Sequence, residues 1–183
     1  MGISGRMGSG KDTLGDMLVQ RQRFVREAFA DTLKKVAELL VEAPTREYYQ
    51  RLALLRQVMG KDVWVIPTAG RVTLRMKRLP DTNFVITDVR YPNEANWIKA
   101  NKGIMIRLDV MDSERRHRVY KRDNKSVDNA TWGRWQHHES ENQLNTYRHF
   151  DMILESTELT PETVYRMVLQ FIVTTKLKDT TNA

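Results

Sequence analysis

Cysteine is absent from the 183 residues, which excludes disulfides and thiolate metal centres and suits a cytoplasmic protein. No run approaches the ~18 consecutive apolar residues that a membrane-spanning helix needs. The first residues form a glycine turn rather than a basic leader with an apolar run, so no secretory signal is expected. Hairpin turns such as Asn-Gly are missing, which argues against an antiparallel sheet. Acids are the scarcer charge, 23 Asp plus Glu against 30 Lys plus Arg, for a net +7. That balance suits nucleic acid or small polyanions such as nucleotides, and equally well plain solubility. The densest basic stretch, "ERRHRVYKR" from Glu114 to Arg122, is broken by acids and too short for a polybasic tail. Nucleic acid is therefore not the expected partner.

What is present is enough for one domain spanning 1–183. Apolar residues make up 40% and include four Trp and five Phe, so a core can form. Short apolar runs alternate with segments of helical period. "MGIS" makes a very short first strand, and Leu14, Met17 and Leu18 share a helical face after it. Val25–Phe29 reads as a second strand, then a helix capped by Asp31 that carries Leu33, Val36, Ala37 and Leu40. Tyr48–Met59 reads as one helix ended by Gly60, and residues 63–80 as a helix broken at Pro67 and resumed from Arg71, with a strand-like piece as the alternative.

Phe84–Thr87 has the continuous apolar character of a strand buried on both faces. Ala95–Asn101 follows as a helix and Ile104–Val110 as a strand. Residues 111–138 are polar and Arg-rich and read as a mobile lid containing one helix. Phe150–Leu154 is the last strand. The last helix is announced by Thr160, Pro161 and Glu162, with a stripe of Val164, Val168, Phe171 and Ile172 and a frayed tail from Lys176. This alternation predicts an α/β fold, a parallel sheet of about five strands with helices on both faces. Ligands in such sheets bind at the carboxyl ends of the strands, where Gly5 and Asp88 both stand.

The stretch Gly5-Arg-Met-Gly-Ser-Gly-Lys11 fits the G-x-x-x-x-G-K pattern of a phosphate-binding loop. Glycines let successive amides turn toward one point, and the following helix adds the positive end of its dipole. Gly5, Gly8, Ser9, Gly10, Lys11, Asp12 and Thr13 are the expected nucleotide contacts, with Lys11 following the transferring phosphoryl group. Position 12 ordinarily carries a hydroxyl that ligates Mg²⁺. Asp12 offers a carboxylate that suits the metal directly or through water, and it also suits a helix cap.

Four elements go beyond a generic loop: "GKDT" from Gly10 to Thr13, "FADTLKK" from Phe29 to Lys35, "DVRYPNE" from Asp88 to Glu94, and "HESE" from His138 to Glu141. Together, in this order, they resemble the deoxynucleoside monophosphate kinases of bacteriophages, a branch of the P-loop nucleoside monophosphate kinases. Two departures stand out: Thr32 replaces a frequent proline, and almost nothing precedes Ile3 in the first strand. The resemblance implies transfer of the γ-phosphoryl of ATP to a (deoxy)nucleoside 5′-monophosphate with Mg²⁺, in the cytoplasm (the host's if phage-encoded). It also admits a homodimer.

The remaining candidates have rival readings. Asp88 suits Mg²⁺ with Asp12, or the capping of a turn. Arg90 suits a bidentate grip on the acceptor's phosphate. Glu94 suits the nucleotide or the stability of its loop. The resemblance places Asp31 and Lys34 beside the acceptor, against a bland reading as a cap and a solvated cation. It places His138 and Glu141 near the acceptor or the lid hinge. Arg115, Arg118 and Arg122 share a helical face and are the expected catalytic cations of the lid, of which two at most act on phosphate. Trp132 and Trp135 suit stacking on a base or packing of the lid. The adjacent His137 and His138 lack further ligands at zinc spacing. The alternatives for the whole chain are a kinase of another small phosphorylated acceptor, phosphomevalonate-like, and a nucleic-acid-dependent ATPase.

Overall fold

The computed structural model describes residues 1–124 and 126–181. Its strands are β1 (Gly2–Ser4), β2 (Val25–Glu27), β3 (Phe84–Val89), β4 (Met105–Asp109) and β5 (Met152–Glu155). They form one sheet in the order β2-β3-β1-β4-β5, and every pairing is parallel. Parallel neighbours need crossovers, which here are α1 (Lys11–Gln22), the run α2 (Ala30–Leu40) to α5 (Val65–Arg78), α6 (Pro92–Ala100), and three helices between residues 112 and 142 that join β4 to β5. The order reverses beside β1, so the crevice for a ligand opens above β1, β3 and β4.

Alternation in the strands, broken by an irregularity in β3 between Ile86 and Val89, builds both cores. Val85, Ile106 and Leu108 join Ile3, Leu14 and Leu18 on one face, together with Val164, Val168 and Ile172 of α10 (Pro161–Thr181). Ile86, Val89 and Met105 face the other way, onto Phe29, Ala95 and Ile98. Each buried Val, Leu, Ile, Phe or Met among them stabilises the fold by about 1.5–3 kcal/mol, so even a three-residue β1 is held from both sides. Met1 extends its reach: its amino group donates to Phe84 O at 2.9 Å and its carbonyl accepts from Ile86 N at 3.0 Å. Gly15 lets α1 sit on β3, since a Cβ there would lie 2.3 Å from Thr87 Cγ2.

Several sequence expectations change. The helix expected over Tyr48–Met59 is two, α3 (Arg46–Ala53) and α4 (Leu55–Met59). The segment expected to break at Pro67 is one helix, α5. Pro67 falls in its first turn, where the amide has no intrahelical partner to lose. Asp31 is not a cap, because α2 begins at Ala30; the Asp88 carboxylate instead accepts from Phe29 N at 3.0 Å and Ala30 N at 2.8 Å. The described residues of 111–138 hold two helices, α7 (Asp112–Asp123) and α8 (Asn129–His137). They have a core of their own, Val119 and Trp132 packed with Met7 of the glycine loop, and Trp135 meets Trp132 edge-on. The start of α10 is as expected, with Thr160 Oγ1 accepting from Thr163 N at 3.1 Å. The tail expected to fray is helical to Thr181, and its last two positions, 182 and 183, lie outside the described residues. Among the described residues no helix is long and apolar enough to cross a membrane.

Candidate active site

The glycine loop leaves β1 and runs into α1, with Gly5, Gly8 and Gly10 all at positive φ (146°, 81° and 89°). Gly8 has a second constraint: a Cβ would lie 2.6 Å from Arg115 O, so the loop meets the backbone of α7 with nothing between. Ser9 is buried and its Oγ has no protein partner. Lys11 is buried too, and its ammonium donates to one group, Arg6 O, at 3.0 Å. Burial, then the charge of Arg90, pushes its pKa down to about 7. An unpartnered hydroxyl and a cation with a single neutral acceptor are what an arriving phosphate would satisfy.

On one side of the loop lies a cleft of about 710 Å³, within the usual range for a nucleotide-sized ligand. The loop and the start of α1, Gly8 to Leu14, form its floor; Arg118, Lys121 and Arg122 of α7 form one wall; Ser156 to Thr160, after β5, form the other. Arg118 ties the two walls, donating to Ser156 O and Thr157 O at 3.1 and 3.0 Å while paired with Glu114 at 2.7 Å. Arg122 stands at the rim, paired with its neighbour Asp123. Arg115 lies elsewhere: it is buried and donates to Met7 O at 3.3 Å, Asp112 at 2.5 Å and Gln136 at 3.0 Å.

Arg90 lies beyond Lys11, at the carboxyl end of β3. Its Nη1 donates to Glu141 of α9 (Glu139–Asn142), whose other oxygen accepts from Met7 N at 2.7 Å. Burial pushes the Glu141 carboxyl upward, but Arg90, the Met7 amide and Lys11 together hold it below its ordinary value. Asn142 adds a second clasp, accepting from Arg6 Nη2 at 3.1 Å. His138 caps α9, its Nδ1 facing Ser140 Oγ at 2.9 Å. Burial, then the charge of Arg46, lowers its pKa. Glu94 is buried in the turn it builds, with Oε2 accepting from Arg90 N and Tyr91 N at 2.7 and 3.0 Å. Burial and then Asp88 raise its pKa to about 7.

Asp12 is exposed at the start of α1; its Oδ1 accepts from Thr87 Oγ1 at 2.9 Å and Arg26 Nη2 at 2.7 Å. Asp88 is half-buried; desolvation raises its pKa against the pull of the Ala30 and Phe29 amides at the start of α2. The described residues hold no cluster of three or more metal-type ligands, so a divalent ion here would need phosphate oxygens to complete its shell. The donor set fits Mg²⁺ on those terms: hard oxygen, one exposed carboxylate, and a site that already attracts the Arg26 cation. Lys34 is exposed and Asp31 lies in the first turn of α2, close enough to Asp88 to influence its charge. The structure thus brings Lys11, Asp12, Asp88, Arg90 and Glu141 together, and sets Lys34 out toward solvent.

Sequence reasoning missed Arg26, Thr87, Arg6 and Arg46. Arg46 stacks over Trp135 at 4.7 Å and reaches Met7 Sδ at 3.5 Å. Thr87 alone carried a signal, as a polar residue inside an apolar strand. The others are surface-type residues that only the tertiary contacts bring to the loop.

No family model matches the sequence. A protein of Acanthamoeba polyphaga mimivirus named "Putative deoxynucleotide monophosphate kinase" is 29% identical, with 60% of this chain and 72% of that protein covered. Solved structures resemble it at lower identity. A gluconokinase from Sinorhizobium meliloti aligns over 100% of this chain and 95% of its own, with TM-score 0.58 and 12% identity. The shikimate kinase of Acinetobacter baumannii covers 96% and 93%, with TM-score 0.54 and 17% identity. The fold is that of a P-loop kinase. With this fold settled, the cleft over the glycine loop lies where the sheet topology expects a ligand.

Proposed function

We propose that the protein transfers the γ-phosphoryl group of ATP to a (deoxy)nucleoside 5′-monophosphate, giving the diphosphate, with Mg²⁺. The observation that carries this reading is the pairing of two anion sites across one buried lysine. On one side of Lys11 lies the cleft over the glycine loop; on the other, Arg90 presents a guanidinium at the strand end. Two phosphorylated ligands meeting at Lys11 is the arrangement that phosphoryl transfer between nucleotides needs. The mimivirus relative supports the acceptor class.

In this reading the loop from Gly5 to Thr13 binds the ATP phosphates, and Lys11 neutralises charge on the transferring group. Arg118 and Arg122 line the ATP side and add positive charge there, while Arg115 acts by fixing α7 to the loop. Arg90 holds the acceptor's phosphate, with Asp31 and Lys34 at the border of the acceptor and His138 and Glu94 shaping its surroundings. Asp12, with Asp88 behind it, would hold Mg²⁺, which when bound screens the phosphate charges. Residues 111–138 serve as the lid, excluding water from the cleft.

A nucleotide panel tests the proposal. ATP with Mg²⁺ is offered with each ribo- and deoxynucleoside monophosphate singly, and diphosphate formation is followed. Turnover is expected with at least one deoxynucleoside monophosphate. Release of ADP with phosphomevalonate but with none of the nucleotides would move the protein to another acceptor class, and DNA-stimulated hydrolysis without transfer would remove it from the kinases.

A further inference from the structure

Two strand-end segments far apart in sequence, the glycine loop after β1 and Arg90 after β3, converge on one carboxylate. Glu141 is buried, its side chain 2% exposed, and both its oxygens are engaged by protein groups, Oε1 by Arg90 Nη1 and Oε2 by the Met7 amide at 2.7 Å. It therefore offers substrate little that is free. Arg90 uses Nη1 alone in this pair. Its Nε and Nη2 find no partner among the described residues, and its side chain is 26% exposed. The parallel N–H pair on that edge is the one a phosphate takes bidentately.

We propose that Glu141 is a positioning residue that fixes the Arg90 fork with one carboxylate oxygen and the glycine loop with the other, so that acceptor and donor phosphates are registered against each other. This rests on the placement of the acceptor's phosphate at Arg90 proposed above. Geometry explains why a carboxylate is needed. Two cations, Lys11 and Arg90, sit close enough that Arg90 depresses the lysine's pKa, and a neutral residue between them would leave that repulsion uncompensated. An amide at 141 would also present an NH₂ to one of two donors, either the guanidinium or the Met7 N–H. Asn142 and Arg115 hold Arg6 and Met7 O, so the loop is gripped on both sides of Met7. Glu141 is the one of these three that also touches Arg90.

A double-mutant cycle on the full chain tests this, using Arg90→Ala, Glu141→Gln and the double variant. KM and kcat are measured for ATP and for the four deoxynucleoside 5′-monophosphates, each tested singly. Arg90→Ala should raise the acceptor KM about tenfold or more while moving the ATP KM by less than about twofold. Glu141→Gln should raise both, each by about fivefold. With Arg90 already removed, Glu141→Gln should leave the acceptor KM within about twofold and keep its whole effect on ATP. A purely structural role predicts equal losses in both backgrounds, and that result would overturn the proposal. So would an unchanged acceptor KM in Glu141→Gln where Arg90→Ala raises it. An Arg90→Ala enzyme with normal acceptor KM would instead remove the phosphate from Arg90, and this proposal with it. If Glu141→Gln does not fold, Glu141→Asp keeps the charge but is one methylene too short to span both donors. It should show the same dependence on Arg90, and independence would refute the proposal equally.

Discussion

Lys11 is the residue whose removal should help the empty protein and ruin the enzyme. Its ammonium is buried against one carbonyl, and its pKa falls from 10.5 to about 7. Below pH 7 the group is charged both folded and unfolded, and the cost of burying the charge is carried in full. That cost is of the order of 5 kcal/mol, from 1.36 kcal/mol per unit over the shift. Between pH 7 and 10.5 the folded chain has released the proton while the unfolded chain keeps it, so stability rises with pH. At pH 9 the remaining cost is about 2 kcal/mol. Lys11→Met keeps the apolar stem and removes the charge. Urea denaturation of parent and variant at pH 6.5 and pH 9 isolates the residue, because titrations not coupled to Lys11 cancel in the difference and Glu141, which is coupled to it, stays ionised at both pH values. The variant should be more stable at pH 6.5, and its advantage should shrink by about 2.5 kcal/mol at pH 9. Its kcat should fall by about 10³-fold or more, since the charge facing the transferring group is gone. A stability difference that does not change with pH would refute the reasoning, and so would near-normal turnover.

Gly8→Ala should lower the melting temperature and weaken ATP binding by about tenfold or more. The new methyl meets Arg115 O at 2.6 Å with φ at 81°, which separates α7 from the loop. Gly70→Ala, at an open position inside α5, is the control and should be neutral or stabilising by up to about 1 kcal/mol. For Glu94, whose folded pKa is raised to about 7, the proton is kept by the folded chain between pH 4.5 and 7, so its stabilising share is lost as pH rises through 7. Glu94→Gln should match the parent near pH 4.5 and exceed it by about 3 kcal/mol at pH 8, read by denaturant titration; parallel profiles would refute this.

The elements read correctly from sequence are those whose signals are local. The glycine spacing, the apolar run Phe84–Thr87 and the Thr160-Pro161-Glu162 start depend on neighbours in the chain, and each appears in the structure. The misread elements depend on contacts. Pro67 looks like a break until the helix is seen to begin at Val65. The stretch 111–138 reads as a polar, mobile lid because its partner in packing, Met7, lies in the glycine loop more than a hundred residues away. The candidate site divides the same way. The loop and Arg90 follow from spacing, whereas Glu141 as a tie between them requires two contacts across 134 and 51 residues. Arg26 gave no warning, because an arginine on a short edge strand reads as a solvated side chain.

The aspartate after the loop lysine makes sense once Thr87 and Asp88 are considered with it. P-loop enzymes join a hydroxyl on the helix to an acid at the end of a neighbouring strand. Here the two chemistries have changed places: the helix supplies the carboxylate, Asp12, and the strand supplies the hydroxyl, Thr87, 2.9 Å away. Gly15 permits the exchange, because any side chain one turn into α1 would strike Thr87 and hold the strand off. Asp88, next along the strand, accepts from Phe29 N just before α2 and from Ala30 N at its start. Arg26 offsets the added negative charge by bonding Asp12 and Thr87 together from the edge strand. One substitution in the loop is therefore balanced by three other positions on three elements, which a chance aspartate in a glycine-rich turn would not require.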